Sequence, residues 1–441
     1  MAGENDNMKQ KSILIACGMA VLGFAQGTGA AAQDGMQTVS LQRAVELAQI
    51  HSPQLAQTQA SVINAGSGRR RALGSFLPNI SMSSGASVNS SSRFDPNTQR
   101  VVEGSSDSYN AGLSANYQIF QGGRKYSELD RTASARREAE ARLQSQRYSI
   151  VLQTTTLYMN ALRQRDLVRV AEASRQRAEE SLGITRARLS GRAATRSDTL
   201  RARLELANAR QSLLQAENQL RAAHFALGRQ VGMDGPVAPV DMGDLAPAPL
   251  ALAESEIIAL AVSVSPAVRA AEAAASVARS SLGSARSAYL PSLSATSSYS
   301  WANQDRSFTG GNTSWSFRVS GSYTLFDGFG REQSLSQANE SRRVARLTEE
   351  DARRGVRQDV DAALRTLETQ EQAIAIAQEA FDVAVEDLRI NRVRYEAGGG
   401  TILDFLASQV ALDQADANLV SARYDYALAK AELESIVGRQ L

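Results

Sequence analysis

Tyr109-Asn110-Ala111-Gly112-Leu113-Ser114-Ala115-Asn116-Tyr117-Gln118-Ile119-Phe120, followed by Gln121-Gly122-Gly123, decides how this chain is read. Tyr109, Ala111, Leu113, Ala115, Tyr117 and Ile119 alternate with Asn110, Gly112, Ser114, Asn116 and Gln118. A period of two predicts a strand with one apolar and one polar face. The pattern returns at Trp315, Phe317, Val319, Gly321, Tyr323 and Leu325, and more weakly at Ile80, Met82, Ala86 and Val88 and at Leu293, Ala295, Tyr299 and Trp301. Four strands are expected, at about 79–90, 108–120, 292–303 and 314–326. Such lengths suit tilted strands of a membrane barrel. Trp301, Trp315 and Tyr109 fall at one strand end, and Tyr117, Phe120, Tyr289, Tyr323 and Phe326 at the other, as two interfacial girdles require.

Outward from the strands, the chain repeats itself. Ser52-Pro53 returns as Ser265-Pro266 and Phe76-Leu77-Pro78 as Tyr289-Leu290-Pro291, displaced by 213 (265 − 52 and 291 − 78). Beyond the strands the displacement is 206: Phe120 and Phe326, Arg186 and Arg392, Asp198 and Asp404, Val231-Gly232 and Val437-Gly438. Duplication with one loop-length difference accounts for both shifts. The expected layout is a first unit at 33–232, a linker at 233–253 carrying Pro236, Pro239, Pro247 and Pro249, and a second unit at 254–441.

Each strand pair leads through glycines into a proline-free run, about 124–189 and 331–397. As helices these would each be about 100 Å long at 1.5 Å per residue. Val360, Leu364, Leu367, Ile374, Ala377, Phe381, Ala384 and Leu388 follow steps of three, four and seven, the spacing of coiled-coil packing. Helices at about Pro53 to Phe76 with 197–227, and at Pro266 to Tyr289 with 403–436, are expected end to end beside the long ones. The fold class is therefore mainly α with a transmembrane β-barrel portion, built from a duplicated helix, two-strand, long-helix-hairpin unit. Four strands cannot close a barrel, and an open edge in lipid leaves backbone groups unpaired. Two, three or four copies would give 8, 12 or 16 strands.

Residues 1–32 read as a secretory signal peptide: Lys9 and Lys11 precede the apolar run Ile13 to Ala25, and Ala30-Ala31-Ala32 gives a small-residue cleavage pattern. Cys17, the single cysteine, lies inside that segment, so neither a disulfide nor a cysteine metal site is expected in the mature chain. After residue 25 no stretch reads as a spanning helix. The net charge of +2, with arginines interleaved among Glu and Asp, gives no reason to expect nucleic acid. His51 and His224 are the only histidines and have no companion at ligand spacing, and no Walker loop, nucleophile elbow or dinucleotide fingerprint occurs. No enzyme activity, cofactor or metal is expected.

Thr195-Arg196-Ser197-Asp198 and Thr401-Ile402-Leu403-Asp404 follow the stops of the two long helices. T-x-x-D there predicts a capping box, with threonine at the N-cap and the carboxylate at N3, and the repeated carboxylates would also favour cations. Gly191 lies one residue farther from Asp198 than Gly398 does from Asp404, which predicts a first tip shaped differently from the second.

The order of elements, the twin Phe76-Leu77-Pro78 and Tyr289-Leu290-Pro291, Tyr117 to Gly123, Tyr323 to Gly328, and Arg394-Tyr395-Glu396-Ala397-Gly398 before Thr401 to Asp404 resemble the TolC family of outer-membrane efflux proteins. The resemblance covers nearly everything after the signal peptide. It implies a homotrimer with a twelve-stranded barrel in outer-membrane lipid and a twelve-helix periplasmic tunnel. It further implies a periplasmic adaptor and an inner-membrane ABC or proton-driven exporter as partners. By the same resemblance Asp404 is an entrance residue, Asp198 and Tyr395 belong to the links that hold the mouth shut, and Leu189, Gly191, Ala397 and Gly398 are candidate adaptor contacts. Ala407 stands where the family's best-known pattern has a second acid and Gly400 where it has an arginine, so neither the double acidic ring nor its arginine link carries over. The alternatives are a secreted coiled-coil structural or adhesin-like surface protein, which needs no alternating strands, and a soluble adaptor, which normally has one hairpin set in β domains.

Overall fold

The computed structural model of the protein describes residues 37–97, 99–243, 246–247, 250, 252–304 and 309–439; the expected signal peptide and Cys17 lie outside the described residues. The chain runs β1 (Gln37–Val39), α1 (Leu41–His51), α2 (Pro53–Gly74), β2 (Asn79–Asp95), β3 (Arg100–Gln121), α3 (Arg124–Ser190), α4 (Arg196–Val231), β4 (Val237–Pro239), α5 (Glu254–Val264), α6 (Pro266–Ser287), β5 (Ser292–Asn303), β6 (Asn312–Ser322), α7 (Gly330–Glu396) and α8 (Ile402–Val437). Corresponding helices of the two copies have equal lengths, 67 residues for α3 and α7 and 36 for α4 and α8, so the two helical hairpins match in length.

Helix ends follow from local chemistry. The Ser52 side chain accepts from Leu55 N at 3.3 Å and Pro53 occupies the first turn of α2, where its missing N–H leaves no bond unmade. α4 stops at Gly232, whose φ of 79° and close approach to His51 exclude a side chain. That contact sets the end of α4 against the end of α1, and Gly438 meets Pro266 at the start of α6. The short helices thus stand end to end along α3 and α7. Midway along the long helices lie two apolar clusters, one around Tyr158, Leu162, Leu227 and Val231 and one around Ile257, Val360, Leu433 and Val437.

The strands form one antiparallel sheet in the order β2-β3-β5-β6. Asn79 pairs with Asn116 and Ser292 with Ser322, so the two hairpins keep the register that displacements of 213 and 206 demand. Within the chain, β2 and β6 each have one unpaired edge.

Two expectations are corrected and two are given detail. The loop expected at about 91–107 is mostly strand, because Ser- and Val-rich residues continue the β2–β3 ladder to Asp95 and Arg100. The last strand runs from Asn312 to Ser322 instead of 314–326, since Arg331 draws the Thr324 and Leu325 carbonyls toward α7 at 3.1 and 3.2 Å. The linker is anchored: β4 pairs with β1 in parallel, and the buried Tyr158 hydroxyl lies 2.6 Å from Val240 O and 3.1 Å from Val39 O. An 18-residue window within Glu254–Ser287 reaches a mean hydropathy of 1.5, enough for a spanning helix by composition, but the segment breaks at Ser265 and packs on α7.

Candidate functional site

Two surfaces carry the function. The first is the sheet. Ile80, Met82, Leu113, Tyr299, Trp315, Phe317 and Val319 share one face and are all exposed, with Trp315 70% accessible. Water does not tolerate a continuous apolar band of this kind, whereas lipid does. The opposite face is a ladder of hydroxyl pairs: Ser81 with Ser114, Ser87 with Ser108, Ser298 with Ser316 and Ser300 with Ser314, each at 2.7–2.8 Å. Eleven residues separate the girdle residues Tyr109 and Phe120. At ~3.4 Å per residue and a tilt of ~40° they span about 28 Å, close to the apolar band of an outer-membrane barrel.

At the junction of sheet and helices one cation per repeat joins the two. Lys125 Nζ lies 4.5 Å from the Tyr117 ring centre and 5.5 Å from that of Phe76, and donates to Gln118 O. Arg331, 206 residues on, stands 5.1 Å from the Tyr289 ring. Cation–π contact and carbonyl capture together fix the strand exit on the helix start.

The second surface is the pair of hairpin tips, about half a long helix beyond the apolar clusters. Thr195 N donates to Asp198 Oδ2 at 2.8 Å and Asp198 N to Thr195 Oγ1 at 3.2 Å; Thr401 and Asp404 repeat the box. Asp404 is exposed and Asp198 half-buried. Tyr395 is 4% exposed, stacks on Phe405 at 5.5 Å between centroids, and points its hydroxyl at Thr185 Oγ1, 3.4 Å away on the other hairpin. The Arg188 guanidinium lies 4.5 Å from the same ring and donates to Ala193 O at 3.1 Å. Its Nε and Nη1 are buried without hydrogen-bond partners, so the ring is what compensates them. Arg392 reaches Glu180 on α3 at 3.6 Å. Tyr395, Asp198 and Asp404 therefore sit at one end of the molecule, but Tyr395 contacts Arg188, Thr185 and Phe405, not the two acids. Leu189, Gly191, Ala397 and Gly398 are exposed at the turns.

The first tip is not shaped differently from the second. Arg192 N donates to Leu189 O and Ala193 N to Arg188 O, as Gly398 N does to Tyr395 O and Gly399 N to Arg394 O. Arg192, not Gly191, occupies the position of Gly398. Sequence reading followed the glycine and missed Arg188, Arg192, Thr185 and Phe405; the 206-residue displacement, applied to Gly398, would have found Arg192.

Comparison with known proteins decides what these surfaces belong to. A family model described as outer membrane efflux protein matches residues 44–233 and 257–439. The chain belongs to the outer membrane efflux protein family. It is similar to the outer membrane protein TolC of Vibrio cholerae, 24% identical over 370 residues covering 82% of each chain. It also resembles the alkaline protease secretion protein AprF of Pseudomonas aeruginosa, 26% identical over 75% of this chain and 70% of that protein. Its fold is shared with the open-state MtrE outer membrane channel of Neisseria gonorrhoeae, with a TM-score of 0.74 and 22% identity over 91% of this chain and 89% of that one. An outer membrane efflux protein is a channel, and its place is the outer membrane, with the helical part in the periplasm. The exposed apolar face of the sheet is then the lipid face, and the serine ladder lines water. Among the described residues no cluster of three His, Cys, Asp or Glu side chains is placed to hold a metal ion.

Proposed function

We propose that the protein works as a homotrimer: a passive exit duct of a tripartite efflux pump or type I secretion system, docked through a periplasmic adaptor to an inner-membrane ABC or proton-driven exporter. The observation that carries this reading is the four-stranded sheet with two open edges and one lipid-compatible face. Three copies close it into twelve strands, and the ~100 Å helices then continue the lumen. Pairing β6 with the next copy's β2 in the register of β3 with β5 sets Phe317 beside Val88 and Val319 beside Ala86, apolar against apolar. Further support comes from Leu200, Leu204 and Leu214 on α4 and Ile376, Val383 and Ile390 on α7, all exposed in the single chain. Their burial between copies would supply the subunit contact.

At the periplasmic tip, Asp404 and Asp198 act as entrance carboxylates and Tyr395 with Arg188 holds neighbouring hairpins together. Leu189, Gly191, Ala397 and Gly398 contact the adaptor. The test is electrophoresis of outer-membrane fractions without boiling, together with conductance in planar bilayers. Heat-modifiable trimers that conduct are expected; a soluble monomer would overturn the reading in favour of a secreted coiled-coil structural protein.

A further inference from the structure

The polar face of the sheet is almost free of charge. From Ser292 and Ser322 at one end to Ala302 and Asn312 at the other, its positions are serine, threonine, asparagine, glutamine, glycine or alanine, with the single exception of Arg318. Arg318 stands opposite Thr296, which pairs with Asn116, which pairs with Asn79. Its neighbours along β6, Phe317 and Val319, are exposed on the other face, which fixes Arg318 on the serine side. The side chain is exposed and, among the described residues, makes no ion pair or hydrogen bond. Barrel closure brings no acid to it. Gly112 pairs with Ser300, and the same register carried by the two displacements sets Ser87 of the next copy opposite Arg318.

We propose that three Arg318 guanidinium groups form a cationic ring in the barrel lumen that binds multivalent anions in transit and biases the channel toward anionic solutes. The inference rests on the trimeric channel reading above. Twelve strands spaced ~4.8 Å apart and tilted by ~40° make a barrel about 24 Å across between backbones. Arginine side chains reaching ~6 Å inward leave the guanidinium groups about 6 Å from the axis, inside the ~10 Å screening length at 0.1 M salt. Three such charges enrich a monovalent anion on the axis on the order of 5-fold and a divalent one on the order of 25-fold, since the energy scales with charge. Arginine's planar donor fork suits phosphate and carboxylate oxygens, so phosphorylated and polycarboxylate solutes are the class it favours.

The test is block of the purified trimer in planar bilayers by tripolyphosphate added to the extracellular-side chamber. Wild type and Arg318→Lys should be blocked, with block weakening as salt rises, and Arg318→Gln should lose at least about 10-fold in apparent affinity. Equal block of wild type and Arg318→Gln would overturn the ring, as would block by magnesium instead of tripolyphosphate. Non-boiled gels confirm that each variant is trimeric. A wild-type trimer that carries no current would remove the channel reading and the ring with it, whereas a conducting channel with unchanged block removes the ring alone.

Discussion

Arg192 and Gly398 stand 206 residues apart and share one left-handed backbone position, with φ of 57° and 87°. One turn geometry therefore closes both hairpins, although only the second has the residue that adopts it freely. Left-handed backbone costs a non-glycine residue about 1–2 kcal/mol, so the first tip carries local strain that the second does not.

Arg192→Gly should stabilise the first tip by roughly 0.5–1 kcal/mol, the strain relief exceeding glycine's greater freedom when unfolded. Gly398→Ala should destabilise the second by roughly 1–2 kcal/mol. An added Cβ there would meet Arg188 Nη2 at an ordinary 3.7 Å, so the penalty is conformational and not steric. Protease nicking at the tips of intact trimers should slow in the first variant and quicken in the second.

Tyr395 joins the two hairpins by its ring far more than by its hydroxyl. Tyr395→Phe gives up only a 3.4 Å contact with Thr185 and should change tip stability by less than about 1 kcal/mol. Tyr395→Ala removes the stack on Phe405 and uncovers Arg188, which should cost roughly 3–5 kcal/mol locally and raise single-channel conductance. Equal conductance of the alanine variant and wild type would refute a holding role for this ring.

The long helices and strand pairs were legible because their signals are periodic and long: sixty-odd proline-free residues, or a dozen alternating ones, leave few competing structures. Repetition made the reading sturdier, since each element appeared twice. What escaped was short or tertiary. β1 and β4 have three residues each and exist because Tyr158, far away on α3, hydrogen-bonds the backbone on both sides of them. The outer half of the β2–β3 ribbon looked like loop because serine and asparagine suit both. At the tips the T-x-x-D caps could be read as local chemistry, but the Arg188–Tyr395 contact joins residues 207 apart (395 − 188), and no local pattern announces it.

Tyr158→Phe should free the linker without melting the helices. The lost hydroxyl leaves Val240 O short of a buried donor, at roughly 1–3 kcal/mol, while Val39 O keeps its bond from Val240 N at 3.1 Å. Hydrogen exchange should speed up at residues 237–240 while amides midway along α3 keep their protection; uniform protection across both would contradict the anchoring role.

Within the chain, α3 meets α8 through Asp413, which accepts from Ser174 and Arg177. The positions 206 residues away are Ala207, Ala380 and Val383, so the matching seam that the proposed trimer would form between copies is apolar. Val383→Asp would place an unpaired charge in that seam, worth roughly 3–5 kcal/mol per interface. The trimer band on non-boiled gels should give way to monomer.

His224 is buried on α4, and burial holds its imidazole below the ordinary histidine value of about 6.5. The folded chain therefore keeps His224 neutral while the unfolded chain takes up a proton as pH falls below about 6.5. Its contribution is fully present above that pH and is lost progressively below it, down to the lowered folded value, by at most ~1.4 kcal/mol per pH unit. His224→Gln retains polarity but cannot titrate. Thermal unfolding of the variant should lose its dependence on pH between about 6.5 and 5 relative to wild type. An unchanged acid slope would mean that His224 is hydrated in the assembled tunnel and that the sensitivity lies in other groups.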